Sequence, residues 1–235
     1  HGSIWHFPSH SMPDSPLHIA IIPDGNRRWA KKRGLHPWDG HKEAIEHFRD
    51  LTEWCRKDPR VDTLTVWCFS TENWKRDAKE VATLMKMLED YLAKERAGFA
   101  DENTKFVHSG RTDRIPSSLA SLIKAVEEET MNNDGFTLHL AVDYGGMDEV
   151  TRAANKVDGE LTIENIRTHV DHPELSDIDL IIRTSGECRT SNFFMWQATY
   201  AEWEFLDKFF PDFTVEDLAH CTDEFAKRTR RFGGG

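Results

Sequence analysis

Strand-like and helix-like segments alternate along this chain, and that alternation limits its fold more than any other feature. Ile19–Ile22, Val61–Phe69, Lys105–Ser109, Phe136–Val142, Asp179–Arg183 and a stretch near Ala201–Phe205 are short runs of mainly β-branched, leucine and aromatic residues, the pattern of buried strands. Between them, His41–Lys57 places Ala44, Ile45, Phe48, Leu51 and Trp54 at helical spacing. Ala78–Phe99 does the same with Val81, Leu84, Met85, Leu88, Tyr91 and Leu92. Further helices are predicted from Ile115 to Asn132, Asp148 to Val157, Leu161 to Val170 and Thr214 to Arg231, the last capped by Thr214. Strands that alternate with helices predict an α/β fold: a central, mostly parallel six-stranded sheet covered by helices on both faces. The even rhythm favours one domain over 17–235, with 1–16 set aside as a disordered tail.

Charge and cysteine usage narrow the function classes. The net charge is −11, which argues against nucleic-acid partners, since phosphate-backbone binding needs a basic face. A local basic pocket for a small anion stays compatible with that balance. Cys55, Cys68, Cys188 and Cys221 show neither a CxxC pair nor zinc spacing, which fits a reducing, cytoplasmic setting. No apolar run approaches the roughly 18–20 residues of a membrane span.

Polar clusters follow four of the apolar runs: Asp24–Arg28, Ser70–Arg76, Asp143–Gly146 and Arg183–Ser191. In a parallel sheet the loops after the strand carboxyl ends carry the ligand site, so these clusters are expected on one rim. Ile22 runs into the turn Pro23-Asp24-Gly25-Asn26 and then into Arg27-Arg28-Trp29-Ala30. Two arginines at a helix start favour phosphate. Asp24 makes sense beside phosphate if a divalent cation such as Mg2+ lies between them. The alternative is a helix capped by Asp24 or Asn26 with the arginines in solvent. Arg183 and Arg189, with hydroxyls and a glycine between them, have the composition of a second oxyanion cradle. The plainer reading makes them structural partners of Glu187 and Glu202, with Asn73 a helix cap and His41 an ordinary helix-start histidine.

These clusters resemble the motifs of the cis-prenyltransferases, the undecaprenyl diphosphate synthase family. The resemblance rests on Asp24-Gly25-Asn26-Arg27-Arg28-Trp29-Ala30, Gly40-His41, Phe69-Ser70-Thr71-Glu72-Asn73-Trp74 and Tyr144-Gly145-Gly146. The longest match is Arg183-Thr184-Ser185-Gly186-Glu187, then Arg189 and Ser191-Asn192-Phe193, with Trp196-Gln197 and Tyr200-Ala201-Glu202 beyond. It implies a homodimeric enzyme that condenses an allylic prenyl diphosphate with isopentenyl diphosphate, making a Z double bond. A hydrophobic tunnel would hold the chain, with Val81–Leu92 as one wall. Asp24, Asn73 and His41 are the implied catalytic groups. Gly25, Asn26, Arg27, Arg28, Trp29, Ser70, Arg76, Arg183, Arg189 and Ser191 are the implied substrate contacts. Asp24 and Glu202 would hold Mg2+, and Arg231-Phe232-Gly233 would reach into the neighbouring site. A long lipid product would imply peripheral contact with a membrane.

Four positions depart from the family's usual pattern. Pro37 and Met147 stand where arginines are usual, Asp143 where asparagine is common, and Ala44 where glycine is frequent. An unusual acceptor, such as a prenyl phosphate or a second allylic diphosphate, is therefore an alternative substrate. A non-catalytic partner subunit is a further one, although Asp24, Asn73, Arg183, Arg189 and Glu202 are all present. Bulky side chains at the tunnel floor would stop elongation. Trp67, Phe69 and Trp203 are candidates either for that floor or for the core.

Overall fold

The computed structural model describes residues 16–228. The tail, Pro16 apart, and the Arg231-Phe232-Gly233 stretch lie outside the described residues. Six strands form one sheet: β1 (Leu17–Ile22), β2 (Val61–Ser70), β3 (Lys105–Ser109), β4 (Thr137–Tyr144), β5 (Leu180–Arg183) and β6 (Glu202–Phe205). Their order is β3-β4-β2-β1-β5-β6, and every pairing between neighbours is parallel. Seven helices accompany them: α1 (Asn26–Lys32), α2 (Pro37–Lys57), α3 (Ala78–Asp101), α4 (Ser117–Thr130), α5 (Gly146–Lys156), α6 (Ile163–Arg167) and α7 (Val215–Ala226).

The sheet is buried on both faces, so its strands read as nearly continuous apolar runs. All eight residues of β4 are buried. Ile19, Ile21, Leu64, Val66, Leu138, Leu140, Leu180 and Ile182 face α2, α3, α4 and α7 in the larger core. Ala20, Ile22, Ala141 and Ile181 belong to a second, smaller core with Tyr144, Phe193 and Phe194. That second face also carries a polar row. His18 Nε2 lies 2.6 Å from Thr65 Oγ1, which lies 2.8 Å from His139 Nδ1, and His139 Nε2 lies 2.7 Å from Ser109 Oγ. Buried histidines bonded in this way need no outside partner.

Several element ends differ from the sequence expectation, each for a local reason. Helix α2 begins at Pro37 rather than His41. Proline suits the first helical position, where its missing N–H is no loss, and the Asp39 carboxylate accepts the His36 N–H at 2.9 Å. Asp39-Gly40, expected as a breaker, lies inside the helix. A Cβ at Gly40 would fall 2.1 Å from the Asn26 carbonyl oxygen, so glycine here allows α1 and α2 to approach closely. The loop expected over Ser70–Arg76 is a 3₁₀ helix from Thr71 to Lys75. Helix α7 is capped by Thr214 as expected but closes at Ala226.

Two features position the site. Strand β1 continues to β2 on one side, while its other neighbour β5 continues to β6 on the opposite side, so the chain leaves these adjacent strands in opposite directions and a crevice opens beyond their carboxyl ends. In β2 the register slips, with Trp67 opposite Ala141 but Phe69 opposite Val142. Cys68 is the extra residue of this bulge, and bulges re-aim side chains beside functional clefts.

Candidate active site

The turn after β1 can be built with almost no residue but glycine at its centre. Gly25 has φ +97°, and a Cβ there would come within 2.5 Å of Phe209 Cδ1 and 2.8 Å of Ser185 Cβ. Position 25 therefore needs both the left-handed backbone and the missing side chain. The turn presents Asp24, whose Oδ1 accepts the Gly25 N–H at 2.8 Å and whose Oδ2 accepts from Arg183 Nη2 at 3.0 Å. Asp24 is thus not a side-chain cap for α1, which has none.

Two polar cavities flank Asp24. The first, of about 710 Å³, lies over the start of α1 and includes Asp24, Gly25, Asn26, Arg27, Arg28 and Arg76 in its lining. The second, of about 550 Å³, lies between the ends of β2 and β5 and includes Ser70, Asn73, Arg76, Arg183, Arg189 and Ser191. Asp24, Asn26, His41 and Arg76 belong to both. Three of the four clusters expected on one rim meet there, whereas no residue of Asp143–Gly146 lines either cavity.

The arginines are held on carboxylates. Arg27 and Arg76 lie 3.6 Å and 3.5 Å from Glu80. Arg28 lies 3.0 Å from Glu187 and donates to Ser185 Oγ at 2.6 Å. Arg189 pairs with Glu187. Arg183 also donates to Ser191 Oγ at 2.9 Å and to the Arg189 carbonyl. These pairs orient the guanidinium groups before any anion arrives, and the arginines outnumber the carboxylates around them. Glu80, Ser185 and Glu187 carry this arrangement but were not singled out as site residues. Glu187 and Ser185 stand inside the Arg183–Ser191 cluster, and Glu80 lies four residues after Arg76, whereas its pairing with Arg27 needs the folded chain.

Three buried polar atoms in the crevice have no partner: Asn26 Oδ1, His41 Nε2 and Arg183 Nε. Orphans of this kind mark a place for a ligand or water. Asn26 Nδ2 faces His41 Nδ1 at 3.4 Å, which leaves Nε2 as the protonated nitrogen. Burial first, then the charges of Arg76 and Arg27, holds the His41 imidazole down to about 4. At neutral pH His41 is therefore a neutral hydrogen-bond donor into the crevice.

Asn73 is largely a structural residue here. Its Oδ1 accepts the Ser70 N–H at 3.0 Å, closing a capping box on the 3₁₀ helix. The adjoining Trp74 indole donates to Asp143 Oδ1 at 2.8 Å, and Arg114 Nε donates to Asp143 Oδ2 at 2.8 Å. Asp143 is fully buried. Its charge fixes the segment that carries Asn73, which accounts for a carboxylate at this position.

Two expected site residues are not brought in. Trp29 lines neither polar cavity. Its indole donates to Asp212 at 2.8 Å and carries the Arg33 guanidinium 4.1 Å above its ring. Glu202 opens β6 opposite Leu180, while Arg183, which touches Asp24, ends β5 opposite Phe205. Glu202 and Asp24 thus belong to opposite ends of the sheet within one chain, and Glu202 pairs with Arg228 at 3.1 Å. Of the two missing arginines, Pro37 stands in the wall of the first cavity. Met147 is exposed at the start of α5 and lines neither cavity.

Below the shared residues lies a third, apolar cavity of about 70 Å³. Leu84, Leu88 and Tyr91 of α3 line it, as expected, facing Ala44, Ile45 and Phe48 of α2. Trp67, Phe69 and Trp203 do not line it. Trp67 packs on Phe193, Phe69 on Trp74 and Trp203 on Phe205.

Comparison with known proteins agrees with this architecture. The family model described as "Putative undecaprenyl diphosphate synthase" matches residues 22–233. The chain belongs to the undecaprenyl diphosphate synthase family. Members of this prenyltransferase family at similar length include an isoprenyl transferase of Treponema pallidum, 43% identical over 92% of this chain and 98% of the relative. Among solved structures, lavandulyl diphosphate synthase from Lavandula x intermedia superposes with a TM-score of 0.88 at 31% identity, covering 93% of this chain and 98% of that one. A probable undecaprenyl diphosphate synthase from Campylobacter jejuni gives 0.80 at 31% identity, covering 94% and 99%. Among the described residues no helix is long and apolar enough to cross a membrane, and all four cysteines are free.

Proposed function

We propose that this prenyltransferase joins isopentenyl diphosphate to an allylic prenyl diphosphate, forming a Z-configured prenyl diphosphate. One observation carries this reading: two arginine-lined cavities share Asp24, Asn26, His41 and Arg76, and an apolar cavity opens at Pro23, Asn26 and His41. Two diphosphates and one hydrocarbon chain match that layout. The allylic diphosphate would lie on Arg27 and Arg28, and isopentenyl diphosphate on Arg183, Arg189 and Ser191.

The allylic C–O bond breaks and its electron pair leaves with the diphosphate. The freed carbon bonds to the terminal alkene carbon of isopentenyl diphosphate, and a proton then departs. Arg27, Arg28 and the His41 Nε2–H stabilise charge on the leaving group. Holding both substrates beside Asn26 removes much of the entropic barrier. Leu84, Leu88 and Phe48 keep water from the allylic cation. Asn73 is committed to the Ser70 N–H, and His41 is a weak base at about 4. The proton therefore goes to a diphosphate oxygen.

Asp24 fits Mg2+. Among the described residues no cluster of three His, Cys, Asp or Glu side chains forms a cage, but a single carboxylate opening onto phosphate cavities suits an ion held by one or two carboxylates and substrate oxygens. When bound, Mg2+ neutralises charge on the diphosphate. We further propose a homodimer in the cytoplasm with peripheral access to lipid.

A second reading takes another allylic diphosphate as acceptor. Pro37 leaves the first cavity without an arginine at that point, and the similar lavandulyl diphosphate synthase was solved with dimethylallyl diphosphate. Labelled isopentenyl diphosphate, incubated with allylic primers and Mg2+ with or without EDTA, tests the first reading. Metal-dependent incorporation into a longer prenyl diphosphate supports it. Turnover of dimethylallyl diphosphate alone supports the second. No product from any pair overturns both.

A further inference from the structure

We propose that Asn192 is a positioning residue for isopentenyl diphosphate, clasping the Arg183–Ser191 loop to the Tyr144-Gly145-Gly146 turn and to Glu72. This deepens the condensation proposed above and rests on it. Asn192 stands in the wall of the second cavity with Ser70, Glu72, Arg183, Arg189 and Ser191. Its bonds run to two other strand ends. The Asn192 carbonyl accepts the Gly146 N–H at 2.7 Å, and its Oδ1 accepts the Met147 N–H at 2.7 Å. Its Nδ2 donates to Glu72 Oε1 at 3.1 Å. Helix α5 has no side-chain cap of its own, so Asn192 satisfies the first orphan donors of that helix. The turn after β4 thus serves the site as the seat for the loop after β5.

The loop needs such an anchor. Ser191 and Asn192 have φ +53° and +70°, a left-handed backbone that residues other than glycine hold only where the surroundings fix it. Arg183 holds one side, through Ser191 Oγ and the Arg189 carbonyl. Asn192 holds the other, and asparagine tolerates this backbone better than most residues. The two glycines make the seat possible. A Cβ at Gly145 would fall 2.8 Å from Asn192 Nδ2 and 2.6 Å from Thr71 Oγ1, and one at Gly146 would fall 2.8 Å from the Met195 backbone nitrogen. Burial works against the Glu72 charge, but its own backbone N–H and the Asn192 amide outweigh it and hold the carboxylate below its usual range. Glu72 is therefore ionised at neutral pH, and the bond from Asn192 Nδ2 is charge-assisted. Without the clasp, Ser191 and Arg189 are free to drift from the end of β2, and the second cavity widens. The first cavity is lined by neither Asn192 nor Glu72, so binding of the allylic substrate is spared.

Asn192→Gly removes the amide and suits the left-handed backbone. It should raise the KM for isopentenyl diphosphate about tenfold, the scale of one lost bond to a charged group, and move the KM for the allylic primer by no more than about twofold. Asn192→Asp should act in the same direction, because it sets a second carboxylate beside Glu72. Adding Glu72→Gln to Asn192→Asp restores donor and acceptor in swapped order and should return the KM to within about threefold of wild type. A purely structural role would lower the melting temperature of each variant and give no such rescue. If Asn192→Gly does not fold, Gly145→Ala pushes the amide aside without removing it and should again raise the KM for isopentenyl diphosphate. Calorimetry with isopentenyl diphosphate alone makes the same comparison without turnover. Wild-type binding that is unchanged in Asn192→Gly, or a double variant no better than Asn192→Asp, would overturn the clasp while leaving the condensation reading intact. A wild-type enzyme that binds no isopentenyl diphosphate would overturn both.

Discussion

The Arg183 guanidinium donates to the Asp24 carboxylate at 3.0 Å, joining the carboxyl ends of two adjacent strands across the centre of the crevice. Arg183 is buried, whereas the Asp24 side chain is one-third exposed. The pair therefore has a rigid cationic half and a half that can turn toward a ligand. Asp24→Ala should lower kcat by about 10²–10³, the scale seen when one group that stabilises transition-state charge is removed. Stability should fall by no more than a few kcal/mol, since Arg183 keeps Ser191 and the Arg189 carbonyl. Steady-state kinetics and thermal melts separate the two effects.

Removing Asp143 should act in the opposite proportion. The carboxylate is fully buried and accepts from Arg114 and Trp74. Asp143→Ala leaves the Trp74 indole N–H without its acceptor and releases the part-exposed Arg114, and should cost about 1–3 kcal/mol. Asp143→Asn keeps an acceptor and should recover part of that loss. Urea unfolding of the two variants, with activity measured on whatever remains folded, checks the expectation.

Gly40→Ala tests the contact between α1 and α2. The added methyl would sit 2.1 Å from the Asn26 carbonyl oxygen, so the helices must separate. Overpacking of this kind costs about 1–3 kcal/mol. Because Asn26 belongs to all three cavities, kcat/KM should fall by more than the loss of folded protein explains.

Stability should peak near pH 6.5. His18, His41 and His139 are pushed below 6.5, mainly by burial, with His41 at about 4. Below pH 6.5 the unfolded chain binds protons these folded residues refuse, so stability falls at up to about 1.4 kcal/mol per pH unit for each such group. His172 has the opposite sign. Burial works against its charge, but hydrogen bonds to Glu127 and Glu174 outweigh it and raise the group to about 10. Its contribution is complete below 6.5 and is lost as pH rises through 10. Denaturation midpoints at about pH 5, 6.5 and 9 should trace that maximum. His41→Asn should flatten its acid side.

The strands, most of the helices and the clusters at the strand ends were legible in the sequence by itself. Strand signals are local: the Ile19–Ile22 and Leu180–Arg183 runs need no partner to be recognised. The motif around Asp24, Gly25 and Arg28 is likewise contained in consecutive residues, and so is the Arg183–Ser191 cluster. What only the tertiary structure decided concerns residues brought together from distant segments. Glu80, a local i,i+4 partner of Arg76, also reaches Arg27 because folding brings the first turn of α3 within 3.6 Å of it. Gly40 belongs inside a helix because α1 lies against it. Trp29 turns to Asp212, and Glu202 is carried to the other end of the sheet by the parallel register of β5 and β6. The depth of the apolar cavity belongs to this class too. A stripe of Leu84, Leu88 and Tyr91 is equally consistent with a packed core or an open tunnel, and the difference is a volume fixed by how closely α2 and α3 pack.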